Sequence, residues 1–303
     1  MDQAISRFLG HLETDKGFSP NTVVAYKNDL SQLLAFLKAE PAVNGPLPET
    51  WAAVTSAMVQ RYILTLQERH YAPTTIARKI ASVKSFFHFL QGERSIVASP
   101  ADGFASPGVR RPLPKTISSL EVDELLGQPL KREKPEGKRD WAMLSLLYAT
   151  GMRVTELVKL NVEDVFLDEN YPYVRCLGRA SRPRDIPLPP ASIESLHEYL
   201  ANARDLLVRS PATIALFLNR RGERLTRQGF WLILKSHVRS ANLRGEITPH
   251  MLRHTFATHM LQSGQLNLRE LQEFLGHASI STTQVYTQLP QAAAAGSRRT
   301  ARG

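Results

Sequence analysis

Among 303 residues there is one cysteine, Cys176. That excludes an internal disulfide and any thiolate-based metal cluster. No apolar run approaches the roughly 20 residues that a membrane-spanning helix needs. No charged-then-apolar leader opens the sequence either. A cytoplasmic protein with no membrane partner is expected. Lysine is missing between Lys159 and Lys235, which matters for acid catalysis in that stretch.

What is present fits a globular chain of two domains, with 43% hydrophobic and 22% charged residues. The net charge of +10 is unevenly placed. Of 38 basic and 28 acidic residues, 11 and 9 lie in 1–110, and the other 27 and 19 lie beyond. The second part therefore carries most of the excess, which favours a polyanionic partner.

Apolar spacing predicts helices over 2–14, from Pro20 to Leu37, over 56–69 and from Pro73 to about residue 92. Ser19-Pro20 and Ala72-Pro73 are matching helix starts. Small hydroxyls, amides and cations at or after such starts suit phosphate contacts. Asn21, Thr22, Lys27, Thr74, Thr75, Arg78, Lys79 and Lys84 are the candidates, set against a DNA backbone. A linker with prolines at 100, 107, 112 and 114 follows, and its Arg110 and Arg111 suit a strap along an anionic surface. The domains expected are 1–107 and 108–303.

Beyond the linker the pattern predicts helices over Ser119–Leu126 and Lys138–Ala149, then one whose first turn holds Arg153 and Glu156. Three apart, that carboxylate and guanidinium share a face, so Glu156 can orient Arg153. Strand character runs through 162–168, 173–177 and 184–188, with helices over 190–207 and 226–242 and a further strand at ALFLN, 215–219. The expected class is mainly α with a small β-sheet.

The richest stretch is ITPHMLRHTFATHMLQSGQLNLRELQEFLGHASISTTQVY, from Ile247 to Tyr286. Thr248 and Pro249 open a helix that aims His250 and Arg253 the same way. Gly264 and Gly276 end this helix and the next, just before His277. Guanidinium fits phosphate bidentately, imidazole moves protons near neutral pH, and a phenol can be a covalent nucleophile. Together they describe phosphoryl transfer through a phosphotyrosine, with no metal required. Zinc is the competing chemistry, since His250, His254 and His259 have ligand-like spacing. No Glu follows the first of them, however, and Cys176 is far away.

With Arg153 added, ATGMRVTEL, PHMLRHTFATHML and LGHASISTTQVYT occur in order. They resemble the three catalytic boxes of the tyrosine recombinase (phage-integrase-like) family, most closely its Xer group. The resemblance implies an N-terminal helical, SAM-like core-binding domain and a C-terminal catalytic domain of the DNA-breaking-rejoining fold. Carried over, Arg153 and Arg253 clamp the scissile phosphate, and His250 and His277 assist with protons and hydrogen bonds. Tyr286 attacks, leaving a 3′-phosphotyrosyl link and a 5′-hydroxyl. No metal, cofactor or ATP is implied.

The implied partners are double-stranded DNA and further protomers, in a homotetramer or a heterotetramer with a paralogue on synapsed sites. A DNA translocase would regulate it, and resolution of chromosome or plasmid dimers would be its task. The family places a general-acid lysine in the strand hairpin, where this chain has Arg179 in LGRASRPRDIPL. Arginine releases a proton poorly. An active recombinase, a mobile-element integrase and a DNA-binding architectural protein with weak or no cleavage all remain consistent with these residues.

Overall fold

Helix starts carry the sequence most directly into the fold. In the computed structural model, which describes residues 1–39, 48–105, 115–167, 170–177 and 183–276, six helices have a capping side chain among the described residues. Ser19, Thr55, Ser118, Thr226, Thr248 and Asn267 each accept a backbone N–H two or three residues on. Proline stands at the first position of several helices, where its missing N–H has no consequence. The chain divides into two compact units, Met1–Arg111 and Pro112–Gly303. The boundary expected at residue 107 lies outside the described residues, as do Arg110 and Arg111.

The first unit packs α1 (Asp2–Thr14), α2 (Pro20–Ala39), α3 (Ser56–Glu68) and α4 (Pro73–Gly92). Their apolar faces meet in a core that includes Phe8, Leu30, Leu33, Phe86, Phe87 and Leu90. A polar clip also joins α2 to α4. Asp29, buried on α2, accepts from Lys79 Nζ and Ser82 Oγ, each at 2.9 Å, and pairs with Arg78. The expectation that Lys79 contacts a phosphate is corrected here. Its ammonium is buried against Asp29, because a buried carboxylate needs a buried cation beside it.

The second unit is built on α6 (Pro135–Thr150), flanked by α5 (Ser119–Gly127). Met143, Leu144, Leu146 and Leu147 of α6 are fully buried, so this helix is enclosed rather than amphipathic. It starts earlier than the expected Lys138, because Pro135 occupies the first turn and Lys134 gives no capping signal to read. Gly151 ends it with φ +54°, and a Cβ there would lie 2.5 Å from Phe256 Cδ1. Conformation and close approach both demand glycine at this corner.

After α7 (Val154–Leu157), β1 (Val165–Phe166), β2 (Tyr173–Leu177) and β3 (Pro183–Pro187) form one antiparallel sheet in that order. The expected first strand is shorter, since Val162–Asp164 forms a single tight turn. Val174 pairs with Ile186 and Cys176 with Arg184, and Val174, Cys176 and Ile186 face inward. Burial pushes the Cys176 thiol up to about 11, so it is an inert core group.

Helices α8 (Pro190–Asn202), α9 (Arg204–Leu207), α10 (Arg227–Ser240), α11 (Pro249–Gln262) and α12 (Leu268–Leu275) follow. The strand expected at 215–219 does not form; only isolated bridges occur there, Asn161 with Ala215 and Leu218 with Arg224. Side chains take the carbonyls a ladder would use. Arg204 Nη2 donates to Ala215 O at 2.7 Å, Tyr199 Oη to Leu216 O at 2.9 Å, and Arg139 Nη1 to Leu218 O at 2.8 Å. Arg139 also holds Asp140, whose Oδ2 lies 2.9 Å from His237 Nε2, so a buried ion pair hydrogen-bonded to His237 fixes α10 against α6. Removing one partner from such a pair costs about 3–5 kcal/mol. Among the described residues no helix is long and apolar enough to cross a membrane.

Candidate active site

Arg253 sits in the second turn of α11, almost fully buried. Its Nη1 donates to Gly151 O at 2.5 Å and its Nη2 to Leu275 O at 2.7 Å. These carbonyls end α6 and α12, where helix dipoles place partial negative charge. The guanidinium is therefore fixed in place by two converging helix ends.

Arg153 is the N-cap residue of α7, not a first-turn residue as the spacing predicts, because its ψ of 147° is extended. Glu156 reaches back from the helix. Its Oε2 accepts the Arg153 backbone N–H at 2.7 Å and its Oε1 accepts Arg153 Nη1 at 3.0 Å. Glu156 is itself buried and takes a second guanidinium. Arg184 of β3 donates Nη1 to Oε1 at 3.1 Å and Nη2 to Oε2 at 3.0 Å. Burial alone would raise the Glu156 pKa. The Arg184 hydrogen bonds, the Arg153 N–H and the two positive charges outweigh it and hold the carboxyl below its ordinary value. Its stabilising effect is present above the ordinary carboxylate range and is lost as pH falls through the depressed value.

Arg153, His250 and Arg253 line one cavity of about 600 Å³, together with Arg227, Gln228 and Trp231 of α10. His250 touches solvent but is crowded. Partial burial first, then the charges of Arg253, Arg153 and Arg227, push its pKa below the ordinary value. A neutral imidazole among guanidiniums can accept a proton, and the guanidiniums can hold a dianionic phosphorane. Arg153 Nη2 also lies 3.5 Å from Gly276 O, the residue directly before His277. His277, Tyr286 and Arg179 lie outside the described residues.

The histidines weighed as zinc ligands do not gather. His259 Nδ1 lies 2.7 Å from Tyr148 Oη, and no group of three metal-ligating side chains occurs among the described residues. In the first unit Asn21, Lys27, Thr74 and Arg78 are exposed, while Thr22, Thr75 and Lys84 are half-buried. Lys84 lines a groove with Phe8, His11 and Phe89 between α1 and α4.

Sequence reasoning missed Arg227 and Arg184. Arg227 follows the Thr226 cap in a first turn with no acidic residue, the helix end where a cation is disfavoured. A cation there was the one local irregularity in the sequence that singled it out. Arg184 sits two residues from core Ile186 on β3, and a charge on an inward face needs a buried counter-charge. That signal was readable too.

Residues 115–292 match the Phage integrase family, and residues 5–94 match the phage integrase N-terminal SAM-like domain. The chain is 48% identical to tyrosine recombinase XerC of Herpetosiphon aurantiacus, over 95% of this chain and 91% of that protein. It is 40% identical to tyrosine recombinase XerD of Oceanobacillus iheyensis, over 96% and 95% of the two. The fold is shared with XerH site-specific recombinase in a post-cleavage complex with palindromic difH substrate. That match has TM-score 0.73, 22% identity and coverage of 93% of this chain and 80% of that one. XerA recombinase aligns at TM-score 0.52 and 27% identity, over 96% and 95%.

Proposed function

Because the chain belongs to the phage integrase family as a tyrosine recombinase of the Xer type, we propose that it cuts and rejoins duplex DNA through a 3′-phosphotyrosyl intermediate. The observation that carries this reading is the convergence of Arg153, Arg253 and His250 on one cationic cavity. Tyr286 attacks the scissile phosphorus as its proton passes to a base, a role the neutral His250 suits. The bond to the 5′-oxygen breaks, and that oxygen leaves as a hydroxyl after gaining a proton. Arg153 and Arg253 balance the charge on the non-bridging oxygens. The phosphotyrosyl bond retains the energy of the phosphodiester, so a 5′-hydroxyl from a second strand can reverse the step without ATP.

The reading extends to a cytoplasmic protein acting on dimers of chromosomes or plasmids, with four protomers on two synapsed sites. The same chemistry serves a homotetramer or a heterotetramer with a paralogue, under control of a DNA translocase. Both units contact the duplex, the first through Asn21, Thr22, Lys27, Thr74, Thr75, Arg78 and Lys84, the second through its cationic cavity.

Affinity for a cognate duplex is expected to fall about 10³–10⁵-fold between about 50 and 200 mM salt, as for six to ten neutralised phosphates. Pieces 1–107 and 108–303 should each bind far more weakly than the whole. A salt titration of all three decides this, and one piece binding as tightly as the full chain would refute a two-unit grip.

A further inference from the structure

We propose that Arg184 is a positioning residue for the cleavage step, sharing Glu156 so that the carboxylate does not cancel the Arg153 charge offered to the phosphate. This rests on the reading of Arg153 as a phosphate clamp. Glu156 is the only carboxylate bonded to Arg153 among the described residues, and one carboxylate against one guanidinium largely cancels its charge. The second fork changes that balance. Arg184 meets both carboxylate oxygens with its two Nη atoms, so the trio Arg153–Glu156–Arg184 carries a net charge of one positive unit. Arg184 is the more buried of the two arginines, with a side chain 15% exposed against 35% for Arg153. The less buried Arg153 is the one that lines the cavity, and Arg184 does not.

The placement has a second consequence. Arg184 Nη1 lies where a Cβ on Gly276 would come within 3.0 Å, and Gly276 has φ +63°. Gly276 O in turn faces Arg153 Nη2. One guanidinium thus packs under the turn that leads into His277 and braces the carboxylate that aims Arg153. Arg184 Nε is buried without an acceptor among the described residues, so this fork is held by Glu156 alone there. The donor stands on β3, so the same ion pair joins that strand to α7.

The test is single-turnover adduct formation by the full chain and by its Arg184→Gln and Arg153→Gln variants. Each is given a normal substrate and one with an uncharged methylphosphonate at the scissile position, whose transition state carries one negative charge fewer and so leans less on the guanidiniums. Arg184→Gln is expected to slow the phosphodiester on the order of 10²-fold with duplex affinity retained, and to slow the methylphosphonate far less. Equal slowing of both substrates means a structural role only and overturns the proposal, as does no slowing of either. Arg153→Gln reports on the reading beneath. If it slows both substrates equally, the clamp assignment fails. If it is substrate-selective while Arg184→Gln is not, only the proposal for Arg184 fails. Should Arg184→Gln not fold, Arg184→Lys keeps the charge but not the paired donors. A weaker loss, again confined to the phosphodiester, supports the proposal, and equal loss on both substrates overturns it.

Discussion

Tyr286→Phe is expected to abolish the covalent protein–DNA adduct while leaving duplex affinity nearly unchanged. The substitution removes one hydroxyl, whereas affinity comes from many phosphate contacts. No other tyrosine is positioned to take over. Tyr62 and Tyr199 are buried in the two cores. Burial pushes the Tyr62 phenol well above its ordinary value and the Tyr199 phenol up to about 12. Tyr71 Oη accepts from Gln32, Tyr173 stacks on Phe166, and Tyr26 packs against the core of the first unit. Tyr171 is exposed and does not line the cavity. The nearest imitation of an activated phenol is Tyr148 with His259, but burial raises the Tyr148 pKa and neither residue lines the cavity of Arg153 and Arg253. Denaturing electrophoresis of both proteins on a nicked duplex makes the comparison. A persisting adduct in Tyr286→Phe refutes the assignment.

The second large effect concerns the proton that must reach the leaving 5′-oxygen. An alkoxide leaves poorly, and Arg179 stands where the family resemblance places an acidic lysine. A substrate with sulfur at the bridging 5′ position departs as a stable thiolate and needs no acid. It should be cleaved faster than the oxygen substrate, by as much as the ~10²–10⁴-fold that general acid catalysis supplies. Arg179→Lys should speed the oxygen substrate and leave the sulfur substrate unchanged. Single-turnover rates of both proteins on both substrates check this. Equal rates for oxygen and sulfur with the unsubstituted chain mean that another group or water gives the proton.

The parts of the site legible in the sequence are those fixed by local geometry. Thr248 and Pro249 fix where α11 begins, and three-residue spacing then puts His250 and Arg253 in one cavity. The Arg153–Glu156 pair was readable for the same reason, although a helix N-cap rather than a shared helical face brings the two together. What escaped depends on distant partners. Arg184 acquires meaning only when β3 lies against Glu156, 28 residues earlier. Lys79 reads as a surface cation until α2 brings Asp29 beneath it. The run Ala215–Leu218 has the composition of a core strand, yet side-chain donors from α6, α8 and α9 take the carbonyls of Ala215, Leu216 and Leu218. Among the described residues Phe217 alone of the four accepts a backbone N–H, from Leu225. Periodicity reports which residues are buried and not what their backbone bonds to.

The central claim is metal-free transesterification to Tyr286 with a defined polarity. A nicked suicide duplex carrying the cognate site tests it most directly, incubated with the full chain in excess chelator and without ATP. The nick lets the short fragment diffuse away and traps the intermediate. The account predicts a covalent adduct that maps to Tyr286 through a 3′-phosphate, and a released fragment bearing a 5′-hydroxyl. An adduct joined through a 5′-phosphate, one that needs a divalent cation, or cut strands with no protein attached would contradict it.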